Sequence, residues 1–470
     1  METIRTDAVV VGAGPGGYSA AIRLGQLGKQ VVVVERDIPG GVCLNVGCIP
    51  SKALITAAKT YEKIRGAEAM GVLVEGARVD LARMQAWKSG LVEKLTGGVR
   101  TLLKSAGAKL LLGEATVTGP QRLEVKTKEG LIAVESPAIV LATGSRPVAV
   151  PGFAVDHAKI LDSTSALALT EVPPRLLVVG GGYIGLELGM MYAKLGAQVT
   201  VVEFTAQLLP GNDPELVQFV ARKMKKLGME TQLETKAKSW REQAGALAVT
   251  LEGRAGEKTI ACDQVLVTVG RRPNSEGLGL DRIGVKIDSK GFVVVDRQLR
   301  TNVPSIYAIG DVAGQPMLAH KAYKEADVVA EVIAGHAAEI DSTIVPAVIF
   351  TDPEIATVGL TQAAAEQLGR KVKVGKFPFA ALGRAMTQLE TDGFVKVVAD
   401  ATSDELLGVH IVGPGASDLI SEGALALEMG AFLPDLSLTI HPHPTLGEAV
   451  MEAAKAALGE STHLVNGGKR

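Results

Sequence analysis

The chain has 470 residues, enough for about three domains at ~150 residues each. Its 47% hydrophobic and 21% charged residues are ordinary globular values, and a net charge of −2 excludes the one-signed field that would draw nucleic acid or an anionic membrane surface. Three cysteines, Cys43, Cys48 and Cys262, are too few for a disulfide-stapled secreted scaffold. They point to a reducing, cytoplasmic setting in which a close pair is catalytic or metal-binding.

A short polar N-terminus leads straight into Ala8-Val9-Val10-Val11, with nothing that reads as a secretory signal. Residues 8–35 then read as strand, glycine turn (Gly12-Ala13-Gly14-Pro15-Gly16-Gly17), helix and a second strand ending in Glu35. The same pattern returns over 176–203, with the turn Gly180-Gly181-Gly182-Tyr183-Ile184-Gly185 and a strand ending in Glu203. The acid follows the first glycine by 23 residues in both copies (12 to 35 and 180 to 203). One such loop is weak evidence; two with matched acids predict two dinucleotide-binding folds. Gly12 and Gly180 permit the tight turn, Gly14 and Gly182 let backbone approach a pyrophosphate, and Gly17 and Gly185 let helix pack on strand. The helix N-terminus faces the phosphates and the acid accepts from a ribose hydroxyl. The apolar run from Leu176 to Ala193 is broken by Glu187 and five glycines, so it reads as strand, turn and buried helix rather than a membrane span.

Between the copies lies Gly40-Gly41-Val42-Cys43-Leu44-Asn45-Val46-Gly47-Cys48-Ile49-Pro50-Ser51-Lys52. On a helix, residues i and i+5 lie just over one turn apart, so a disulfide here needs local distortion. C-x₄-C is neither the thioredoxin nor the zinc-ribbon spacing, and no nearby His or Cys completes a four-ligand set, so no metal is expected. The alternative is two inert buried cysteines; the placement directly behind the first nucleotide fold favours a redox pair. After Gly270-Arg271-Arg272-Pro273-Asn274 the pattern changes, and Ile306 to Asp311 reads as a short strand delivering an acid at a turn. From about Pro346, strands such as 347–350 and 394–398 lead into helices over 418–429 and 445–458, a separate α+β domain. Cys262, without a partner, reads as a buried apolar residue.

The cysteine stretch resembles the active-site signature of the pyridine nucleotide-disulfide oxidoreductases, and its Cys-Ile-Pro-Ser-Lys wording is most similar to the members acting on dihydrolipoamide. The resemblance extends to Ala142-Thr143-Gly144-Ser145, to 270–274, to 306–311 and to His441-Pro442-His443-Pro444-Thr445-Leu446-Gly447-Glu448; Val42 departs from the family's usual Thr. It implies FAD in the first fold, NAD in the second, a central segment completing the FAD site and a C-terminal dimerisation domain, here 1–150, 151–275, 276–345 and 346–470. It further implies that Cys43 is the interchange thiol, that Cys48 faces the flavin, that Lys52 lies near the flavin and pairs with Glu187, and that Asp311 meets the FAD ribityl chain. Met317, Leu318, Ala319 and His320 would touch the flavin through backbone, and Ala115, Thr143, Gly144, Ser145 and Gly270 would line the nucleotide sites. His443 would be the base for thiol–disulfide exchange, arriving from the other subunit of a homodimer, with Glu448 as its orienter and His441 as the competing candidate.

The implied activity is oxidation of dihydrolipoamide through a Cys43–Cys48 disulfide and FAD to NAD+, on a lipoylated carrier of a 2-oxo acid dehydrogenase or glycine-cleavage complex. Glu203, followed by 204–211 without Arg or Lys, would accept from a ribose 2′-hydroxyl and repel a 2′-phosphate. This separates the chain from glutathione reductase. The C-terminal Gly467-Gly468-Lys469-Arg470 lacks the cysteine pair usual in mercuric reductase.

Overall fold

The computed structural model describes residues 2–341 and 344–465; the 467–470 tail lies outside them. Two compact units emerge, one from 1–172 with 267–341 and one from 173–266 with 342–470. The chain is α/β, with two Rossmann-like folds and a C-terminal α+β domain.

The first unit is built on a five-stranded parallel sheet, in the order Ile306–Ala308, Ile139–Leu141, Ala8–Val11, Val31–Glu35, Lys109–Leu112. Four of its strands are buried without alternation because both faces are covered, while the edge strand Lys109–Leu112 is exposed at its ends. Val10, Val33 and Val140 face a core shared with Ala20, Ala21 and Leu24 of the helix Pro15–Gln26 and with Ala326 and Val329 of the helix Ala319–Ala334. Val9, Val11, Val32 and Val34 face the opposite core, where Ala115, Val117 and Leu123 come from a four-stranded sheet. Parallel strands put the ends of Ala8–Val11, Val31–Glu35, Ile139–Leu141 and Ile306–Ala308 along one edge, so Gly12, Glu35, Ala142 and Gly310 all leave the sheet on the side where α/β folds bind ligands.

The second unit repeats the motif with Arg175–Val179, the helix Tyr183–Lys194 and Gln198–Val202, the two strands pairing in parallel. Its α+β part is an antiparallel sheet in the order Ala347–Ile349, Glu354–Gly359, Leu406–Gly413, Phe394–Asp400, Val372–Pro378. The helices Ala416–Glu428 and Glu448–Leu458 pack their apolar faces on it, burying Ile420, Val450 and Ala453 beside Val395, Val397 and Ile411.

One expectation needs correction. The last helix starts at Glu448, not Thr445, because the Glu448 carboxylate accepts the Thr445 N–H at 2.9 Å and holds 445–447 as a turn outside the helix. The local distortion expected between the cysteines is a break at Gly47 (φ −135°, ψ −109°): Cys43 lies in Gly41–Val46 and Cys48 opens a second helix, Cys48–Arg65.

Candidate active site

The two glycine loops are built alike. Gly12 has φ +102° and Gly180 φ +108°, left-handed conformations that favour glycine. A Cβ on Gly17 would lie 1.8 Å from the Gly12 carbonyl oxygen, so only glycine lets the helix Pro15–Gln26 sit this close to the turn. Glu35 Oε2 accepts the Ala13 N–H at 2.7 Å and its Oε1 the Asp37 N–H at 2.9 Å. Glu203 does the same with Gly181 and Thr205, at 2.7 Å each. Both carboxylates are buried and tie each loop to the end of the second strand. A carboxylate offers about four lone-pair sites, which leaves acceptor capacity for a ribose. Asp80 and Asp213 cap other helices, but among the described residues neither Pro15–Gln26 nor Tyr183–Lys194 has a side-chain cap, and their first N–H groups suit phosphate oxygens. Each loop therefore fits a dinucleotide.

The redox pair follows the first loop. Gly40 N–H donates to the Ala13 carbonyl at 2.7 Å, and a Cβ on Gly41 would sit 2.6 Å from Gly14 Cα, so the cysteine segment lies directly against the loop. Cys43 and Cys48 are free thiols in hydrogen-bonding contact. The bond to Cys48, with burial behind it, holds the Cys43 thiol well above the ordinary cysteine range, while the Lys52 ammonium pulls the other way. Cys48 is the first residue of its helix, where the dipole favours negative charge. Lys52 stands one turn further along the same helix.

Two motifs distant in sequence are knitted beside this edge. Thr143 Oγ1 donates to the Asn274 carbonyl at 2.7 Å, Asn274 Nδ2 to the Thr143 carbonyl at 3.0 Å, and Asn274 N–H to the Gly144 carbonyl at 2.9 Å. The Gly270 carbonyl accepts the Val148 N–H at 3.0 Å. Ser145 Oγ donates to Asp311 Oδ2 at 2.5 Å and takes the Arg271 Nε–H at 2.8 Å, placing Asp311 where the Ile306–Ala308 strand ends. Met317 and Leu318 lead into the helix that Ala319 and His320 open. Ala115 is buried, with its backbone paired to Val125. Glu187 is buried on its helix, and its Oε1 accepts the Phe350 N–H at 2.8 Å.

In the second unit, His443 Nδ1 meets Glu448 Oε1 at 2.9 Å with the imidazole 79% exposed, and among the described residues its Nε2 has no partner. Burial pushes the Glu448 carboxyl up, but the Thr445 N–H and His443 together hold it below its ordinary value. His441 is 6% exposed and engaged at both nitrogens, with Glu422 Oε1 at 2.7 Å and the Thr439 carbonyl at 2.9 Å. Cys262 is buried, and burial pushes its thiol up to about 12.

Sequence reasoning missed Tyr18, whose hydroxyl meets that of Tyr323 at 2.7 Å, both phenols within electrostatic reach of Cys43. It also missed Glu325, buried beneath the Gly310 turn. The signal for the latter was there in Lys321 and Glu325, an i, i+4 pair inside an otherwise apolar helix stripe.

Comparison with known proteins gives one consistent result. Residues 6–326 match the family described as pyridine nucleotide-disulphide oxidoreductase, and residues 345–454 match that family's dimerisation domain. Dihydrolipoyl dehydrogenase of Geobacillus stearothermophilus is 47% identical over 462 residues, 98% of each chain. Dihydrolipoyl dehydrogenase of Halobacterium salinarum is 49% identical over 465 residues, again 98% of each. The crystal structure of LpdA from Mycobacterium tuberculosis superposes with a TM-score of 0.90 at 28% identity, covering 96% of this chain and 99% of that one.

Proposed function

The chain belongs to the pyridine nucleotide-disulphide oxidoreductase family, and on that footing we propose how its own residues divide the work. It is a flavoprotein disulfide oxidoreductase that uses FAD and NAD and oxidises dihydrolipoamide to lipoamide. The observation that carries the reading is the Cys43–Cys48 thiol pair, set at a helix break and pressed against the first glycine loop.

FAD sits on the first loop (Gly12, Gly14, Gly17, Glu35), with Ala115, Thr143, Gly144, Ser145, Asp311 and the 317–320 backbone. NAD would sit on the second (Gly180, Gly182, Gly185, Glu203), and Lys52 would lie near the flavin. The FAD part is 1–150 with 276–345, the NAD part 151–275, and 346–470 forms the dimer. When bound, FAD would supply the two-electron redox chemistry that links the cysteine pair to NAD+.

His443 of the partner subunit removes a proton from one substrate thiol, and that sulfur attacks Cys43 of the oxidised pair. A mixed disulfide forms as the Cys43–Cys48 bond breaks and Cys48 leaves as thiolate. The second substrate thiol gives up its proton to water and attacks the sulfur bonded to Cys43. Lipoamide closes, and Cys43 leaves and takes the proton held by His443. Glu448 holds the imidazole in one orientation and stabilises its charged form. The thiols require a reducing compartment such as the cytoplasm, and the natural substrate is a lipoylated carrier of a 2-oxo acid dehydrogenase or glycine-cleavage complex.

Lipoamide-dependent oxidation of NADH by the purified FAD-loaded protein tests this. Turnover with NADH and lipoamide, weak turnover with NADPH, and its abolition in Cys43→Ser and Cys48→Ser are expected. Equal use of NADPH would overturn the role of Glu203.

A further inference from the structure

The turn that carries Asp311 is held from below by a buried ion pair. Gly310 has φ +72° and opens a single 3-10 turn, Gly310–Val312. Its N–H donates 2.6 Å to Oε2 of Glu325, which is 6% exposed and lies in the middle of the helix Ala319–Ala334. The other carboxylate oxygen, Oε1, meets Lys321 Nζ at 2.6 Å one turn earlier on the same helix, and Lys321 also reaches the Gly314 carbonyl at 3.4 Å. The pair thus grips both ends of the 310–314 loop. The same helix packs on the first glycine loop: a Cβ on Gly16 would meet the Ala322 Cβ at 3.3 Å, and one on Gly310 would meet it at 3.5 Å.

Above the turn, Asp311 Oδ2 is fixed by Ser145 at 2.5 Å, and among the described residues Oδ1 has no partner. A carboxylate buried in a helix stripe is costly, and the helix has no use for it, since its acceptor reaches out to another segment. Burial, with the Asp311 charge adding to it, raises the Glu325 carboxyl above its ordinary range, although Lys321 and the Gly310 N–H pull the other way.

We propose that Glu325, paired with Lys321, is a positioning residue for the flavin. It sets the height of the Gly310–Asp311 turn so that Asp311 Oδ1 meets the FAD ribityl chain. The inference rests on the reading that Asp311 faces that chain. Removing the charge of Glu325 weakens a charge-assisted bond to the turn and loosens FAD without unfolding the chain. Removing Lys321 alone leaves a buried carboxylate without its cation, and removing both relieves that cost.

The test measures FAD dissociation rates of the holoenzyme and the melting temperature of each apoprotein. The variants are Glu325→Gln, Lys321→Met, the double variant and Asp311→Ala, with Val329→Ala as a control that weakens the core of the same helix away from Gly310. Glu325→Gln is expected to speed FAD release about tenfold with little change in apoprotein melting. The double variant should release FAD more slowly than the product of the two single effects. If Asp311→Ala leaves FAD release unchanged, the ribityl reading fails. If Asp311→Ala speeds release and Glu325→Gln does not, the positioning role is overturned. The role is equally overturned if release in Glu325→Gln and Val329→Ala follows melting temperature alone, because that is the signature of a purely structural residue.

Discussion

His441 and His443 stand two residues apart in one His-Pro-His-Pro run, each beside a glutamate, yet the structure makes them different instruments. His441 is enclosed, with Glu422 on one nitrogen and the Thr439 carbonyl on the other. Among the described residues His443 engages Glu448 through Nδ1 alone, and its ring is largely exposed. An imidazole with both nitrogens engaged anchors a loop; one with a single oriented nitrogen can carry a proton in from outside. A carboxylate partner does not make a histidine a base. The free second nitrogen does.

The largest effect should come from His443→Gln, which removes that free nitrogen. Lipoamide turnover should fall by about two to four orders of magnitude, the range for general acid–base catalysis, while NADH still reduces the bound flavin in rapid mixing. Retention of more than a tenth of turnover would erase the distinction between the two histidines. Subunit exchange sharpens it: mixing Cys43→Ser protein with His443→Gln protein should restore activity, because one site of the heterodimer carries neither lesion. Verified heterodimers without activity would place both residues of a site on one chain.

Glu448→Gln should cost less, about tenfold, since the ring keeps an amide oxygen at Nδ1 but loses the charge that steadies it. His441→Gln should leave turnover within about twofold and instead destabilise the fold by ~1–3 kcal/mol, the cost of stranding buried hydrogen-bonding partners. Steady-state assays and chemical denaturation on the same preparations separate the two outcomes. A turnover loss in His441→Gln matching that in His443→Gln would mean both rings handle protons.

This contrast marks what the sequence could reveal. The paired glycine loops and their acids were legible because φ-positive turns and the 23-residue return to an acid leave marks in residue type and spacing. The fold class followed from them. The cysteine pair was legible too, but its break was not: Gly47 looked like one more glycine, and its backbone is needed only because Val42 lies close, a Cβ there meeting the Val42 carbonyl oxygen at 2.9 Å. The choice of His443 over His441 came from resemblance, since both rings precede a proline in the same short run ahead of Glu448. Burial decides between them, and burial depends on Glu422, 19 residues earlier in a neighbouring helix. The Lys321–Glu325 spacing hinted at Glu325 but not at its hold on Gly310, and Tyr323 was silent because it acts across 305 residues to Tyr18, a distance that no local pattern reports.

The smallest expected effect concerns pH. Glu448 is held below its ordinary carboxyl range by the Thr445 N–H and His443, which outweigh its burial. A carboxyl lowered on folding contributes stability that is fully present above its unfolded value, ~4.3, and is lost as pH falls through the lower folded value. The gap in melting temperature between wild type and Glu448→Gln should therefore be widest near neutral pH, about 1 °C because the imidazole partner is solvent-exposed, and should close as pH falls below ~4. His441→Gln should show no such dependence on Glu448, so its gap to wild type should persist while the Glu448→Gln gap closes. A Glu448→Gln gap that widened on acidification would mean that the carboxyl is raised on folding, and the orienting bond to His443 would then not be the charged one described.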